Sequence, residues 1–429
     1  MKNYTKLVRI FILTSVLSTI FTRAVIGSLL FSHIVMAKPI PLVVDSKTGN
    51  GLLLGGYFRL GTGLSRGKTM VDFRLPGATS KYRLGNEANF YYETRFKYQH
   101  GLHQGKLNVN LNMAGFRRYD SSEPFKLDIV REANLNYQYQ GVEYWAGRNY
   151  NHRKQIHMLD HYFMNTGQGA DWGVGANGIP LASGKLGLAY FQYQDNIGQH
   201  NFSSHALDLR WQTQLNADHS ALLWFYDRQR NSNQRVNITS EHGISIGLRL
   251  DSKSLLEGTN RLVTYYSQGA AIVQSGFNAA PVREDQGWHL PDASVFQISN
   301  DWLYEKDHYA INWVVLMRRT NKGSPSNSKI NWYSTGVRPQ IYLTQNWNIA
   351  IEQGFDYVQN QITDQQGWLS KSTLALQYLD KNKYYQRPAY RLFATYAKWS
   401  DEFIGQIGGE PFARQNNGWN MGVQIESWW

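Results

Sequence analysis

The sequence predicts an all-β fold: a closed transmembrane antiparallel β-barrel that consists of one domain. Two observations lead to this prediction. Polar and apolar residues alternate along much of the chain, which is the period of a β-strand. After the first 37 residues, no stretch reaches the roughly 18 uncharged apolar residues that a membrane-spanning helix requires. The apolar side chains that face the membrane must therefore belong to strands.

The first 37 residues have the composition of a signal peptide. Their positive start contains Lys2, Lys6 and Arg9. Apolar residues then fill positions 10–21 and 24–36, and the segment ends in the triplet Val-Met-Ala at 35–37. A retained membrane anchor is the alternative, but Arg23 interrupts the apolar run. We expect cleavage near Ala37, which makes residues 1–37 the signal peptide and residues 38–429 the barrel.

Alternation is perfect in several runs, among them residues 108–113, 207–215 and 244–250. A period of two places successive side chains on opposite faces of a strand. In a soluble β-sandwich the apolar face would be the core, and the pattern alone leaves that alternative open. The opposite faces, however, are rich in Asn, Gln, Arg and Glu, and few long apolar helices could cover a sheet. A closed barrel directs the apolar face to lipid and the polar face to water.

The length of the exported chain limits the number of strands. About 390 residues remain after cleavage, enough for 16 strands of roughly 24 residues or 18 of about 22, turns included. Turn-like clusters at 216–218, 256–260 and 380–383 separate strand candidates. We find no second domain, coiled coil or low-complexity linker.

Side-chain parity assigns an inner and an outer face near both ends of the barrel. On the last strand the predicted inner residues are Asn420, Gln424, Glu426 and Trp428, and the outer ones are Met421, Val423, Ile425 and Trp429. Near residue 90 the inner residues are Asn89, Tyr91, Glu93 and Arg95. Interior rings beside interior charges suit a passage for sugars, because pyranose C–H faces stack on aromatic rings while hydroxyl groups need charged partners.

Composition excludes several other classes of function. The chain carries 44 Lys and Arg against 32 Asp and Glu, yet the charges are scattered singly, so we expect no nucleic acid partner. No cysteine is present, which excludes disulfides and zinc–cysteine sites. His157 and His161 stand four residues apart, but Met158 occupies the position where a zinc protease has Glu. We therefore expect neither a metal nor another cofactor.

Seven stretches, taken in order, resemble the maltoporin family of trimeric, 18-stranded outer-membrane sugar channels. They are 56–59 (GYFR), 80–87 (SKYRLGNE), 131–135 (REANL), 145–148 (WAGR), 157–160 (HMLD), 387–399 (RPAYRLFATYAKW) and the terminal Trp428-Trp429. The similarity is dense before residue 175 and after residue 330, and thin between them. It implies 18 strands, a Gram-negative outer-membrane location, a homotrimer and contact with membrane lipid. The terminal aromatic residue resembles the signal that the barrel assembly machinery recognises.

The resemblance also implies which residues contact the sugar. A helical run of aromatic residues, the greasy slide of the family, matches Tyr57, Tyr91, Tyr385 and Trp428. The polar track and constriction match Arg59, Arg83, Glu93, Arg131, Arg153, Asp160 and Tyr162. Part of this set belongs to an inward-folded constriction loop near 150–175. Parity independently places Tyr91, Glu93 and Trp428 inside, whereas strict alternation would turn Arg131 outward unless a bulge intervenes.

The sequence departs from the family pattern at several positions. The family has a tryptophan that reaches the neighbouring subunit's channel, and here Tyr119 or Phe125 would have to replace it. Thr259 stands where another slide aromatic is expected, and Gln155 stands where the constriction has an acid. Ala88 occupies one position of the family's early disulfide. These departures affect the expected selectivity for malto-oligosaccharides such as maltodextrins more than the expected passage of sugars.

Two other functions compete with a sugar channel. A general-diffusion porin, or one selective for another substrate, would be expected to lack the aromatic path and to have a more acidic constriction. An outer-membrane lipase is the rival among enzymes, because residues 63–67 and 243–247 both match G-x-S-x-G. That motif requires a sharp strand-to-helix turn. Ser245 instead lies within an alternating run and no helical pattern follows Gly67, so we predict that the protein is not an enzyme.

Overall fold

The computed structural model describes residues 39–45, 48–102, 104–122, 126–166, 172–197, 200–232, 240–273, 282–324 and 328–429. The predicted signal peptide and Phe125 lie outside these ranges, so their expected roles stay predictions. The strands are β1 (Ile40–Val44), β2 (Gly51–Ser65), β3 (Lys68–Thr69), β4 (Asn89–Leu102), β5 (Gly105–Arg118), β6 (Lys126–Tyr139), β7 (Val142–Arg148), β8 (Gln155–Ile156), β9 (His161–Tyr162), β10 (Trp172–Leu181), β11 (Gly184–Ile197), β12 (His200–Gln214), β13 (His219–Arg230), β14 (Glu241–Leu255), β15 (Gly258–Gln268), β16 (Ser294–Glu305), β17 (Tyr309–Asn321), β18 (Lys329–Tyr342), β19 (Trp347–Asn360), β20 (Gln365–Leu379), β21 (Ala389–Trp399) and β22 (Asn417–Trp428).

Short 3₁₀ turns occur within the connections between these strands. In the described ranges they span Gly269–Ala271, Glu284–Gln286, Leu290–Asp292, Asp401–Phe403 and Glu410–Phe412. No helix in the same ranges is both long enough and apolar enough to cross a membrane.

The described strands form a closed antiparallel barrel of 18 members, which confirms the predicted fold class. Each member pairs with the next along the chain, from β4 to β7 and from β10 to β22. Strand β2 closes the ring, because it pairs with β4 on one side and with β22 on the other. Strands β8 and β9 form a separate two-stranded hairpin. Closure leaves no open edge among these 18 strands, as a membrane barrel requires.

The alternating runs lie in β5, β12 and β14, and their two faces differ as predicted. On the outer face Val109 and Ile246 are 40% and 53% exposed, although both are apolar. On the inner face Asn112 and Asp208 are buried, although both are polar. Apolar side chains that point away from the polypeptide require lipid around the barrel.

The two ends of the barrel differ in the lengths of most of their connections. At one end most connections have two to four residues, such as 182–183, 256–257 and 343–346. At the other end several are long, including 70–88 and 400–416. The turn predicted at 256–260 is shorter in the structure, because β15 already begins at Gly258. Leu256 and Glu257 both adopt left-handed φ values, 49° and 59°, which is the conformation that a two-residue hairpin requires.

Three connecting segments that fold into the barrel border the channel, and apolar side chains of the first two contribute to the core. These inner segments are residues 70–88, 149–166 and 380–388. Phe73, Met158 and Phe163 are almost completely buried and belong to one hydrophobic cluster with wall residues such as Trp332. The core thus lies inside the barrel, between the inner segments and the wall, and the remaining lumen forms the channel.

The two ends of the chain meet at the seam where the barrel closes. Strand β22 pairs with the second half of β2, from Tyr57 onward, and the backbones of Gly56 and Trp429 exchange hydrogen bonds of 3.0 and 3.1 Å. Strand β1 then pairs with β2 over residues 51–54. Because β1 and β22 both run antiparallel to β2, the N-terminal strand continues the line of the C-terminal one.

Candidate functional site

The first inner segment is held by Tyr82, whose ring lies flat against the barrel wall. Gly336 and Gly354 form the surface beneath the ring, and a Cβ atom at either position would lie within 2.2 Å of it. The Tyr82 hydroxyl is 3.0 Å from the Ser334 hydroxyl. At Leu84 the backbone N–H donates to the buried Glu352 carboxylate at 3.1 Å. These contacts fix the neighbouring Arg83 side chain within the channel.

The second inner segment is held by polar residues of the opposite wall. Asp208 of β12 accepts hydrogen bonds from Thr166 at 2.6 Å and from Asn151 at 3.2 Å. Arg210 donates to the carbonyl oxygen of Met164. Both ends of the 149–166 segment therefore attach to β12, and its middle part projects across the lumen. The sequence predicts a constriction loop here, and its effect on passage stays a prediction.

The inner segments leave a cavity of about 1110 Å³ within the barrel. All eleven residues predicted to contact sugar line this cavity: Tyr57, Arg59, Arg83, Tyr91, Glu93, Arg131, Arg153, Asp160, Tyr162, Tyr385 and Trp428. They come from strands β2, β4, β6, β9 and β22 and from all three inner segments. The structure thus brings the whole set together, while the binding of a sugar to it stays a prediction.

Aromatic rings form a continuous row along one side of the cavity. The centroids of Tyr91 and Tyr57 are 5.7 Å apart, and Tyr57 stacks on Trp428 at 6.3 Å with an interplanar angle of 12°. His157 contacts Trp428 edge-on at 5.9 Å and Tyr385 at 5.6 Å. We call these five residues the aromatic path. His157 was absent from the predicted set because resemblance to the slide identified only Tyr and Trp positions.

The position of His157 within the path depends on two arginines. Arg83 Nη1 lies 3.1 Å from its Nδ1 atom, and Arg387 Nη2 lies 3.2 Å from its Nε2 atom. Burial and the Arg83 guanidinium hold the pKa of His157 well below its usual range. The lowered pKa favours the neutral imidazole.

Glu426 organises the cations behind the aromatic path. Its carboxylate accepts hydrogen bonds from Arg83 at 3.0 Å, from Arg387 at 2.9 Å and from Arg391 at 2.8 Å. The Tyr57 hydroxyl donates to it at 3.0 Å. Parity predicted that Glu426 faces inward, but its three arginine partners come from distant parts of the sequence and gave no local signal.

One of these arginines supports the tryptophan of the path directly. The Arg387 guanidinium carbon lies 4.2 Å from the centre of the Trp428 ring. A cation over an indole face is favourable, and the Glu426 carboxylate holds the cation in place. The ring orientation therefore depends on a buried ion pair as well as on neighbouring rings.

Glu93 and Arg153 form the centre of a second polar group. Arg153 pairs with Glu93 at 3.3 Å and donates to the Tyr162 hydroxyl at 2.7 Å. Its guanidinium carbon lies 4.9 Å from the Tyr162 ring centre. Asn112 donates to the other Glu93 oxygen at 2.9 Å. This group joins the wall at β4 to the 149–166 segment and places a carboxylate and a guanidinium at the cavity surface.

Arg59 and Arg83 share the carboxylate of Glu87. The distances are 2.7 Å from Arg59 Nη1 and 2.7 Å from Arg83 Nε to the same Glu87 oxygen. All three side chains are nearly buried and border the cavity. Because buried charges require compensation, this arrangement keeps both guanidinium groups in place beside the aromatic path.

Arg131 reaches the cavity through a β-bulge. The pairing of β5 with β6 runs from Asn112 opposite Glu132 directly to Met113 opposite Val130, so that Arg131 is the extra residue. Strict alternation would have turned its side chain toward lipid, whereas the bulge turns it inward. The structure therefore meets the condition under which Arg131 could join the polar track.

The serines of the two G-x-S-x-G motifs and His161 of the candidate metal pair make hydrogen bonds within the barrel. Ser245 donates to the Ala271 carbonyl oxygen at 3.3 Å, and Ser65 donates to the Asn420 side chain. His161 lies 2.8 Å from Gln297 and contacts the Trp332 ring rather than His157. In the described part of the chain, no group of three or more His, Asp or Glu is arranged to hold a metal.

Tyr119 packs within its own barrel, although it was a candidate to replace the tryptophan that reaches a neighbouring subunit. Its ring contacts Phe90 at 4.9 Å, and its hydroxyl approaches Gly61 of β2. Leu84 and Ala88 belong to the hydrophobic cluster against which Tyr119 packs. Whether Tyr119 also reaches a neighbouring subunit stays a prediction.

Comparison with solved structures returns other outer-membrane barrels at low sequence identity. OccD3 (OpdP) of Pseudomonas aeruginosa is 10% identical, with 92% of this chain and 93% of that chain covered and a TM-score of 0.49. OmpF of Salmonella typhi, solved in complex with daunomycin, is 10% identical, with 90% and 100% covered and a TM-score of 0.49. OccAB2 of Acinetobacter baumannii is 8% identical, with 90% and 98% covered and a TM-score of 0.47.

Comparison with protein families is more specific. The sequence profile of the LamB porin family matches residues 52–429, which includes all 18 strands of the barrel and all three inner segments. Together with the closed barrel, its lipid-facing apolar surface and its polar lumen, this match identifies an outer-membrane channel of a Gram-negative bacterium. The chain belongs to the LamB porin family.

Proposed function

We propose that the channel conducts sugars by facilitated diffusion, and that oligosaccharides such as maltodextrins move along the aromatic path. The observation that supports this proposal most directly is the unbroken row of rings from Tyr91 to Tyr385. Pyranose rings have apolar C–H faces that stack on such rings. Successive ring centroids are 5.6–6.3 Å apart, so a sugar that leaves one ring meets the next.

Charged groups beside the rings supply partners for the sugar hydroxyls. Arg59, Arg83, Glu93 and Asp160 line the same cavity as the aromatic path. Hydrogen bonds from or to ionised groups are stronger than neutral ones. Transport nevertheless requires many weak sites, because one tight site would trap the solute. The proposed path distributes the interaction among five rings and several charges.

The proposal is tested by single-channel recording in a planar bilayer with a panel of sugars. We expect maltose and longer maltodextrins to block the ion current in a saturable manner, with half-blocking concentrations that fall as the chain lengthens. A non-sugar solute of similar size, such as a short polyethylene glycol, serves as the control. Current reduction that rises linearly with every solute would instead support a general-diffusion porin and contradict the proposal.

We also propose that the protein is a homotrimer in the outer membrane, where lipid surrounds its apolar face and the barrel assembly machinery inserts it. The assembly route is supported by Trp429, which follows the last residue of β22 and contacts Phe58 on the outer face at 5.8 Å. Native mass spectrometry in mild detergent should give the mass of three chains. A monomer as the sole species, at concentrations where the protein remains folded, would contradict this proposal.

A further inference from the structure

A cluster of cations lines the side of the lumen that faces the aromatic path. We call it the cationic wall: Lys154, Lys253, Arg261, Asp251 and Asp301 line the cavity, and Arg249 joins them through its ion pair with Asp251. Counted from β2, strand β14 is the tenth of the 18 barrel strands, so it stands opposite the strand that carries Tyr57. A solute that stacks on the path has its far edge toward this wall.

The carboxylates of the cationic wall are already engaged. Asp251 uses one oxygen for Arg249 at 2.7 Å and the other for Arg261 at 2.8 Å. Asp301 accepts a hydrogen bond from Asn312 at 2.7 Å. The described part of this wall therefore has four cations and two carboxylates, of which Asp251 alone pairs with two of the cations, and the net charge is positive.

Lys154 is a cation of this wall whose side chain is exposed in the lumen and makes no ion pair within the described ranges. The surrounding protein and the guanidinium groups of Arg249 and Arg261 lower the pKa of Lys154, the effect that neighbouring positive charge has on a lysine. An anion beside Lys154 would relieve this repulsion.

The whole cavity, and not only this wall, has an excess of positive charge. Among the described residues that line the cavity, eight are Lys or Arg and five are Asp or Glu. Two departures from the family pattern border the cationic wall: Gln155, where an acid is expected, follows Lys154, and Thr259, where a ring is expected, precedes Arg261 by two positions. At residue 155 the replacement removes an acid, which would repel an anion. At residue 259 it removes an aromatic ring, which would exclude water.

We propose that the preferred solutes of this channel are anionic sugars, whose carboxylate or phosphate group faces the cationic wall while the sugar ring stacks on the aromatic path. This inference rests on the proposed sugar channel and specifies the substrate class. Carboxylate and phosphate share the chemistry that the wall recognises, a compact negative group that accepts hydrogen bonds from ammonium and guanidinium donors. A lumen with a net positive charge also concentrates negatively charged solutes at its entrance.

The test compares three sugars of similar size in a planar bilayer at 0.1 M KCl: glucose, glucuronate and glucose 6-phosphate. We expect both anionic sugars to block the current at half-blocking concentrations about fivefold below that of glucose, roughly the effect of one favourable charge contact. Comparison of the two anionic sugars shows whether carboxylate or phosphate fits better. A KCl gradient should in addition give a reversal potential of the sign expected for anion selectivity.

Variants at the wall and away from it separate this role from a general effect of charge. Lys154→Gln should reduce the preference for anionic sugars to about twofold or less, and Lys154→Arg should retain it. Lys68→Gln is the matched control, because Lys68 is exposed outside the cavity, where it pairs with Glu410. This variant should behave as the unaltered protein does.

The possible outcomes distinguish the two proposals. If glucose blocks at the same or a lower concentration than the anionic sugars, the anionic preference is wrong while the sugar channel stands. If none of the three sugars nor any maltodextrin blocks the current, both proposals are wrong. If Lys154→Gln and Lys68→Gln lower the preference equally, the preference does not arise at the cationic wall, which also overturns the inference.

Discussion

The two sides of the lumen are built in different ways. Around the aromatic path, the carboxylates of Glu426 and Glu87 are buried and matched: Glu426 contacts three arginines, and Glu87 contacts two. On the cationic wall, charges are more exposed, and Lys154 and Lys253 make no ion pair in the described ranges. The buried ion pairs hold the side chains of the aromatic path in fixed positions. The cationic wall is instead a charged surface in contact with water.

This difference separates the effects expected from mutation. Buried, compensated charges are costly to break, because a guanidinium that loses its partner cannot recover water. Exposed charges contribute little to stability and act over distance on ions and solutes. Changes near the aromatic path should therefore affect folding as well as sugar contact, whereas changes at the cationic wall should affect selectivity alone.

The largest effect is expected at Glu426. Replacement by Ala leaves the guanidinium groups of Arg387 and Arg391 buried without their carboxylate, at a cost of about 3–5 kcal/mol in the free energy of unfolding. Urea unfolding in lipid vesicles, followed by tryptophan fluorescence, would measure this loss. Glu410→Ala is the control, since Glu410 is exposed and its pair with Lys68 should contribute less than about 1 kcal/mol. Equal unfolding curves for the two variants would contradict the distinction between the two sides.

A smaller effect is expected where Tyr82 lies against the wall. A Cβ atom at residue 354 would lie 2.1 Å from the Tyr82 ring, so Gly354→Ala should displace the ring at a cost of about 1–3 kcal/mol. The shift should loosen the 70–88 segment and raise the single-channel conductance. In a Tyr82→Ala background the clash is absent, so Gly354→Ala should there cost less than it does in the unaltered protein.

The matched control for Gly354→Ala is Gly101→Ala in β4. The nearest atom to a Cβ added at residue 101 would be 3.5 Å away, so this substitution creates no clash. It should leave conductance unchanged. A Gly354→Ala protein with unaltered conductance and stability would show that Tyr82 does not hold the segment.

The two terminal tryptophans should have separate effects. Trp428 faces the cavity, so Trp428→Ala should raise the half-blocking sugar concentration about five- to tenfold, which corresponds to roughly 1–1.4 kcal/mol for one ring. Trp429 contacts Phe58 on the outer face, so Trp429→Ala should instead reduce the amount of assembled barrel. The first is measured in bilayers, the second as heat-modifiable protein in outer membranes. Equal changes in sugar affinity would refute the assignment of faces.

The smallest effect is expected at Lys253, an exposed residue at the edge of the cationic wall. Lys253→Gln should lower the preference for glucuronate over glucose by about twofold or less at 0.1 M KCl. At 1 M KCl the Debye length falls to about 3 Å, and the difference from the unaltered protein should disappear. A difference that persists at high salt would indicate direct contact rather than a long-range effect.

Local pattern predicted most of the fold. Perfect alternation identified β5, β12 and β14 and assigned their faces, because period two is a local property of the backbone. The number of strands was not decided by length, which allowed 16 or 18, and came from the family resemblance. Arg131 shows the limit of alternation, since one extra residue reverses the direction of a side chain.

The site was predicted where it depends on single positions and missed where it depends on packing between distant segments. Tyr57 and Trp428 were identified from the sequence, and both line the cavity. The contact of Arg387 with Trp428, the role of Glu426 and the place of His157 between two rings all join residues far apart in the chain. The cationic wall includes residues from the region where family resemblance is thin, so no motif indicated it.

The seam between β2 and β22 has a consequence for the order of events during biogenesis. Tyr57 and Glu426, whose side chains meet there, are 369 positions apart in sequence. The ring therefore cannot close until the last residues have been synthesised and exported, and until then the growing sheet has two unpaired edges that invite aggregation. Strand β1 pairs with the start of β2, next to the part of β2 that pairs with the final strand. Synthesis of β22 and closure of the barrel are thus coupled, because a chain without β22 leaves the edge of β2 unpaired from Tyr57 to Leu64.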